Sequence, residues 1–139
     1  MFPKDRPVIL DLGAGSGTIL FTLADEAYKS GRKTQFIALE INPFLILLLH
    51  IKRLLHSNQK HISIKFGDLF KERYDQITGG GKTVCYLYVS PRLIPQIFKK
   101  IKKDIPSSQI VSYMYEVKSI KASKVVKTGN HPIYLYNKI

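Results

Sequence analysis

The sequence predicts an α/β fold, a three-layer sandwich in which helices cover both faces of a mostly parallel β-sheet. Two observations predict it. Short apolar runs alternate with helix-length segments over residues 8–117, which is typical of βαβ units. Beyond them, residues 124–127 and 133–136 flank the turn signal Gly129-Asn130, which indicates a closing antiparallel hairpin. The length of 139 residues is that of one domain.

The first half of the chain contains three predicted strands and two predicted helices. The strands lie at 8–10, 35–39 and 62–66, and the helices run from 18 to about 30 and from 42 to about 56. Gly31 is a C-cap signal for the first helix. Asn42-Pro43 supplies an N-cap and a first-turn proline for the second.

The second half continues the alternation. A strand is predicted from Thr83 to Val89, and Ser90-Pro91 repeats the cap-plus-proline signal for a helix that Pro106 stops. That helix places four apolar residues on one face and lysines on the rest: Ile94, Ile97, Phe98 and Ile101, against Lys99, Lys100, Lys102 and Lys103. A fifth strand is predicted from Ile110 to Val117.

Composition excludes several classes of protein. A single cysteine, Cys85, excludes a disulfide framework and a multi-cysteine zinc site. The longest apolar run, at 44–49, is far shorter than the roughly 20 residues that cross a bilayer. Residues 1–7 lack the apolar region of a signal peptide, so we expect a cytoplasmic protein.

The charge of the chain is strongly basic and unevenly distributed. Lys and Arg number 22 against 10 Asp and Glu, a net charge of +12. Residues 76–139 hold 11 basic and 2 acidic side chains, a net +9. This favours an anionic partner such as RNA, an acidic protein face or a membrane surface, and a solvated lysine-rich surface explains it equally well.

The 42–56 helix is apolar almost all round its first turns, which packing on a sheet does not require. We expect a second cover on its outer face: a homodimer partner, a peripheral membrane contact or sequence upstream of residue 1. The first strand begins only about seven residues into the chain, so no helix precedes it.

Acidic residues end the first three predicted strands, at Asp11, Glu40 and Asp68. Ligands of open α/β sheets bind at the carboxyl ends of the strands, beside the first strand. Glu40 lies 23 residues past Gly17, a spacing suited to a carboxylate that binds ribose hydroxyls. The glycine pattern lacks the third glycine of a dinucleotide fingerprint, and an acid at Asp11 suits a cationic ligand. Gly81-Lys82-Thr83 precedes a strand, so it is not a phosphate-binding loop.

Three motifs over residues 7–117 resemble those of class I S-adenosylmethionine-dependent methyltransferases. They are Asp11-Leu12-Gly13-Ala14-Gly15-Ser16-Gly17, Glu40-Ile41-Asn42-Pro43 and Gly67-Asp68-Leu69-Phe70. The resemblance implies a Rossmann-like fold, an enzyme with S-adenosyl-L-methionine as cofactor and S-adenosyl-L-homocysteine as product, and no metal. It implies that the cofactor contacts Asp11, Gly13, Ala14, Gly15, Gly17, Glu40 (ribose), Ile41 (adenine), Asp68 and Leu69 (adenine amine).

The segment after the fourth strand bears on the methyl acceptor. It lacks the Asn/Asp-Pro-Pro-aromatic quartet that clamps planar amines, and Cys85 inside a strand is a poor nucleophile. Residues 87–93 instead resemble small archaeal lysine methyltransferases and the mitochondrial enzymes that modify the ATP synthase c subunit. That resemblance implies a protein lysine as acceptor. We expect residues 1–139 to be a single domain that departs from those enzymes at its start, because it lacks their usual N-terminal helical segment.

Six tyrosines fall in i, i+2 pairs, at 86/88, 113/115 and 134/136. In a strand each pair points to one face of the sheet, where an aromatic lining can hold a lysine by cation–π contact. For the second and third pairs we favour core packing. Tyr88, at a strand end, is the candidate catalytic residue that positions the acceptor. The alternatives are an RNA methyltransferase, motivated by the lysines at 99–103, and a non-catalytic cofactor-binding module.

Overall fold

A computed structural model describes residues 6–139. They form one seven-stranded sheet, four α-helices and a short 3-10 helix at Gln59–His61. The strands are β1 (Val8–Leu12), β2 (Gln35–Glu40), β3 (Ile62–Phe66), β4 (Thr83–Leu87), β5 (Gln109–Tyr113), β6 (Lys124–Thr128) and β7 (His131–Tyr136). The helices are α1 (Thr18–Lys29), α2 (Pro43–Leu54), α3 (Tyr74–Thr78) and α4 (Ile94–Asp104).

The strand order is β3-β2-β1-β4-β5-β7-β6. The first five strands are parallel, β7 runs antiparallel to β5, and β6 runs antiparallel to β7. The order reverses direction between β1 and β4, which puts the carboxyl ends of β1, β2 and β4 beside a single crevice. The predicted fold class is confirmed, including the antiparallel end.

Two apolar layers enclose the sheet. On the face that we call the α3/α4 face, Leu10, Leu12 and Leu87 pack against α3 and α4 in the larger core cluster. On the opposite face, the α1/α2 face, α1 and α2 pack over β1, β2 and β3 through a smaller cluster around Phe36 and Leu49. Side chains alternate between the faces along each strand, because the side-chain period of a strand is two.

Part of the α1/α2 face carries no helix among the described residues. Over β4, β5 and β7, half-buried side chains form its floor: Val84, Tyr86, Val111, Tyr113 and Ile133. The strand register places these residues side by side across the sheet. This part of the sheet becomes the floor of a large cleft.

The predicted helix boundaries in the first half are confirmed. Asn42 caps α2, since its side-chain oxygen accepts hydrogen bonds from the backbone N–H groups of Phe44 and Leu45, and Pro43 is the first helical residue. Helix α1 ends at Ser30, after which Gly31 adopts a φ of 70°.

Two boundaries in the second half differ from the prediction. Strand β4 ends at Leu87, before Val89. Ser90-Pro91 forms a turn, in which the Ser90 carbonyl accepts from Leu93 N at 2.9 Å, and does not cap α4. The helix begins at Ile94 with Pro95 in its first turn, so the next proline along the chain plays the predicted role.

Strand β5 ends at Tyr113, and the prediction of a strand to Val117 is wrong. Met114 has a φ of 75°, the left-handed conformation that ends a strand, and its N–H donates to the Pro132 carbonyl at 2.8 Å. Tyr115 consequently packs on the α3/α4 side, away from Tyr113. The short helix α3 was not predicted, because five residues do not establish a helical period.

Candidate functional site

The loop between β1 and α1 is built on three glycines in the left-handed conformation, where a side chain would be strained. Gly13, Gly15 and Gly17 have φ values of 74°, 59° and 75°. The loop is fixed to the neighbouring strand, since Gly13 N and Ala14 N both donate to the Leu39 carbonyl, at 2.9 and 3.2 Å. The backbone at the tip of the loop is thereby held in one conformation.

The three glycines have different surroundings. A Cβ on Gly15 would meet nothing within 4 Å, so this residue leaves open space beside the backbone. A Cβ on Gly13 would lie 3.3 Å from Val89 Cγ1. Gly17 is buried, and a Cβ there would lie 2.6 Å from Leu49 Cδ2 of α2. Gly15 therefore suits close approach of a ligand, whereas Gly17 allows α1 and α2 to pack together.

Glu40, the last residue of β2, binds the glycine loop directly. Its Oε2 accepts from Gly15 N at 2.8 Å, and its Oε1 accepts from Ile41 N at 2.9 Å and Asn42 N at 3.0 Å. The side chain is 8% exposed. Backbone donors on both sides thus orient this carboxylate at the rim of the crevice.

Asp11 lies on β1 beneath the glycine loop and is 4% exposed. Burial, followed by the nearby negative charge of Glu40, raises the pKa of Asp11 to about 7. A buried carboxyl group disfavours its charged form unless a positive charge compensates it. A cation bound at this end of the crevice would therefore favour the ionised form of Asp11.

The third acidic motif lies on the other side of the loop. Asp68 Oδ1 accepts from Phe70 N at 2.8 Å, so the side chain caps its own turn while remaining half-buried. Leu69 packs against the α3/α4 core, near the place where a Gly13 Cβ would lie. Ile41 is 55% exposed at the same edge of the sheet and offers an apolar surface.

A cleft of about 830 Å³ extends from the glycine loop across the bare part of the α1/α2 face. Its lining includes Asp11, residues 13–16 and three tyrosines: Tyr86, which is the register neighbour of Asp11 on β4, Tyr88 and Tyr113. The rings of Tyr88 and Tyr113 meet edge to face with centroids 5.1 Å apart. The cleft brings together Asp11, residues 13–15 and the predicted acceptor residue Tyr88. The other predicted site residues do not line it: Gly17, Glu40, Ile41, Asp68 and Leu69.

The other tyrosines of the three pairs behave as packing residues, whereas the expected core packing of Tyr113 is wrong, because it lines the cleft. Tyr136 is 1% exposed in the α3/α4 core and accepts the Val117 N–H on its hydroxyl, and Tyr134 packs against the same cluster. The expectation that Tyr115 shares a face with Tyr113 is wrong, because the turn at Met114 separates them. Cys85 is fully buried and burial raises its pKa to about 12, which fits the packing role expected of it.

Two side-chain contacts around the site could not be predicted from the sequence. Lys52 of α2 donates through Nζ to the Ser16 carbonyl at 2.8 Å and so supports the glycine loop from 36 residues away. His131 of β7 stacks edge to face on Tyr113 at 5.8 Å. Both contacts join distant segments, and no local pattern encodes them.

Neither a metal site nor a membrane span is found in the part of the chain that the structure describes. Over residues 6–139 no three His, Cys, Asp or Glu side chains are grouped as metal ligands would be. In the same range no helix combines the length and the apolar character needed to cross a bilayer.

No protein-family model and no curated protein matches the sequence of this chain. Solved structures do share its architecture. An RNA methyltransferase from Salinibacter ruber, in complex with S-adenosyl-L-homocysteine, matches with a TM-score of 0.75 and 19% identity, over 93% of this chain and 78% of its own. An O-methyltransferase family 2 protein from Planctomyces limnophilus matches with 0.71 and 12%, over 100% of this chain and 55% of its own.

A Streptococcus pneumoniae protein, named as a candidate tRNA (m1A22) methyltransferase, matches with a TM-score of 0.68 and 14% identity. The match covers 99% of this chain and 66% of that protein. This chain thus spans little more than half of the second of these three relatives and about two thirds of the third. At these identities the likeness establishes the fold, and it confirms the motif resemblance at that level. The chain has the Rossmann-like fold of class I S-adenosylmethionine-dependent methyltransferases.

Proposed function

We propose that this chain is a methyltransferase that uses S-adenosyl-L-methionine. The observation that carries the proposal is the pair of buried carboxyl groups at the carboxyl ends of β1 and β2, joined to a glycine loop whose tip is open to a cleft. Glu40 Oε2 accepts from Gly15 N at 2.8 Å, and Asp11 lies beneath the same loop. A carboxylate for ribose hydroxyls and a buried acid that favours a cation suit a sulfonium nucleoside.

The residues present fit this cofactor. Glu40 would hold the ribose, Ile41 and Leu69 would flank the adenine with Asp68 at its amine, and residues 13–15 with Asp11 would border the methionine end. When bound, the cofactor supplies an activated methyl group for transfer to a neutral nucleophile. Tyr86, Tyr88 and Tyr113 would exclude water around the acceptor. Holding donor and acceptor in line contributes roughly 7–11 kcal/mol to such reactions.

A protein lysine is the proposed acceptor. The cleft that adjoins the loop is lined largely by apolar and aromatic side chains, and the edge-to-face pair of Tyr88 and Tyr113 can hold an extended amine. Lysine has a pKa of about 10.4 in water, and desolvation among aromatic rings favours the neutral amine that reacts. The resemblance of residues 87–93 to lysine methyltransferases supports the same acceptor.

Binding calorimetry tests the cofactor. We expect the chain to bind S-adenosyl-L-methionine and Glu40→Gln to weaken that binding by 10- to 100-fold, because hydrogen bonds to a charged group contribute about 1.5–3 kcal/mol. Glu26→Gln, on the exposed side of α1, is the matched control and should bind as the parent does. Binding of a nicotinamide cofactor in place of S-adenosyl-L-methionine would reject the proposal.

Transfer of labelled methyl groups into a cell extract tests the acceptor. The label should survive nuclease and disappear with protease, and Tyr88→Ala should reduce it at least tenfold while leaving cofactor affinity within twofold. Label confined to the nuclease-sensitive fraction would show that the acceptor is RNA and not a protein lysine. Cofactor binding with no transfer to any fraction would make the chain a non-catalytic module.

RNA is the second candidate acceptor, supported by the net +9 of residues 76–139 and by the fold likeness to an RNA methyltransferase. The geometry weakens the argument for RNA that rests on the lysines of α4. Lys99, Lys102 and Lys103 are exposed on α4, which packs on the α3/α4 face, whereas the cleft opens on the α1/α2 face. RNA held by α4 would lie across the sheet from the tyrosines.

A further inference from the structure

Helix α2 exposes a continuous apolar stripe. Its residues recur at intervals of three and four, so they share one side of the helix. They are Phe44 (82% exposed), Leu47 (61%), Leu48 (38%), Ile51 (48%), Leu54 (64%) and Leu55 (84%). We call this set the α2 stripe. Large apolar side chains scattered singly over a surface are ordinary, whereas six aligned on one helix indicate an interaction site.

The rotation of α2 about its axis is fixed by contacts on its other side. Leu49 is fully buried, and Ile46 packs against the core cluster of the α1/α2 face. Lys52 Nζ donates to the Ser16 carbonyl, and Arg53 Nε donates to the Ile62 carbonyl. With the inner side satisfied in this way, the stripe faces outward.

Charge distinguishes between two possible partners of the stripe, a second copy of this chain and a lipid surface. Between Glu40 and Asp68 the chain contains no carboxylate and four Lys or Arg residues, of which Lys60 and Lys65 are exposed, whereas Lys52 and Arg53 bond to backbone on the inner side. A second copy of this chain would bring the same cationic segment against itself, and each copy carries +12. An anionic lipid surface provides the opposite charge together with an apolar interior.

The shape of the stripe suits a bilayer surface. A helix of 12 residues is about 18 Å long, and the exposed apolar side chains lie along one side of it. An amphipathic helix binds a bilayer by lying in the interface with its apolar side immersed about 5–10 Å. Exposed Lys and Arg side chains near such a helix each add attraction to anionic lipid.

We infer that α2 docks this protein peripherally on an anionic membrane surface, with the α2 stripe in the lipid and its axis in the plane of the membrane. The cleft opens on the α1/α2 face, the face to which α2 belongs. Docking through α2 therefore turns that face toward the bilayer and presents the cleft to molecules at the membrane surface. This inference does not depend on the identity of the methyl acceptor.

Vesicle co-sedimentation of the full chain tests this inference. Vesicles of phosphatidylcholine with one third phosphatidylglycerol are compared with phosphatidylcholine alone, with the parent and with Phe44→Ser/Leu55→Ser. Both substituted residues are exposed and lie outside the cleft, so the variant should fold, as circular dichroism checks. Tyr28→Ser, a 54% exposed aromatic on α1, is the matched control.

We expect the parent and the control to bind the anionic vesicles, and the double variant to bind them at least tenfold more weakly. Phosphatidylcholine vesicles should bind the parent at least tenfold more weakly than the anionic ones. Equal binding of variant and parent would overturn the inference, since binding would then be electrostatic alone. A dimer in analytical ultracentrifugation that the double variant dissociates would assign the stripe to a second copy instead.

Discussion

Two carboxyl groups close together in the crevice have very different surroundings. Glu40 accepts three backbone N–H bonds, whereas Asp11 is buried with the Glu40 charge nearby. Burial, and after it the nearby negative charge of Glu40, disfavours the charged form of Asp11 and raises its pKa to about 7. Asp11 is therefore the group that should respond to pH and to ligand charge.

The first prediction concerns stability and pH. The pKa of Asp11 is about 7 in the folded chain, against 3.8 for an ordinary aspartate, so between these pH values the folded state holds a proton that the unfolded state has lost. The free energy of unfolding should therefore decrease between about pH 4 and pH 7, by up to about 4 kcal/mol from this group. Urea denaturation of Asp11→Asn should show a flatter profile across that range. Parallel profiles for the two proteins would contradict it.

The second prediction concerns the charge of the ligand. An ionised Asp11 attracts the sulfonium of S-adenosyl-L-methionine, whereas S-adenosyl-L-homocysteine is an uncharged thioether at that atom. Affinity for S-adenosyl-L-methionine should fall about tenfold from pH 8 to pH 6, the most that protonation of one group with a pKa of about 7 can produce, and affinity for S-adenosyl-L-homocysteine should fall less. Titrations of both compounds at both pH values measure this. Equal pH dependence would show that Asp11 does not sense the sulfur.

The helices show how one residue can couple two elements. Gly17 begins α1 in the left-handed conformation, with Leu49 of α2 where a Cβ would be. Gly31 follows α1 with a similar φ of 70°, and nothing lies within 4 Å of a Cβ there. Substituting Gly17 and Gly31 in turn therefore separates two contributions to the lost free energy of unfolding, that of the backbone conformation and that of the packing.

Gly17→Ala should lower the free energy of unfolding by roughly 2–4 kcal/mol, because strain at positive φ adds to an overlap in a packed layer. Gly31→Ala should cost about 1 kcal/mol, from the backbone alone. Chemical denaturation of both variants provides the comparison. Combining Gly17→Ala with Leu49→Ala should cost less than the sum of the single changes, and strict additivity would show that the two residues do not collide.

Charge and layering act at the scale of the whole molecule. The chain carries +12, yet the exposed lysines of α4 and the tyrosine-lined cleft lie on opposite faces of the sheet. Net charge strengthens association with anions at long range, and it does not place a reactive atom. Under the proposed function, the acceptor would be selected by what enters the cleft.

Salt dependence distinguishes the two acceptors on this basis. With a protein lysine as acceptor, raising the salt from 50 to 200 mM should change the rate of methyl transfer by less than about threefold. Phosphate contacts release counterions, so an RNA acceptor making several of them would lose at least about tenfold in affinity over that range. Transfer rates into purified protein and RNA fractions at the two salt concentrations decide between them.

Local patterns were sufficient for much of this molecule. Alternating apolar runs predicted the strands, Asn42-Pro43 predicted the start of α2, and the four apolar residues of α4 are its buried side. These features depend on side-chain periodicity and on capping hydrogen bonds between near neighbours in the chain. The positions of Asp11 and Glu40 at strand ends follow from the same local reasoning.

Boundaries set by distant contacts escaped such reasoning. The end of β5 depends on Met114, which bonds to Pro132 on another strand, and the support of the glycine loop comes from Lys52. The sequence by itself determined the fold class, the order of the elements and the acidic strand ends, because each is encoded within a few residues. Only the tertiary structure decided that Tyr88 and Tyr113 face one cleft while Tyr115 does not, and that the α2 stripe faces outward, because these depend on packing between segments far apart in the chain.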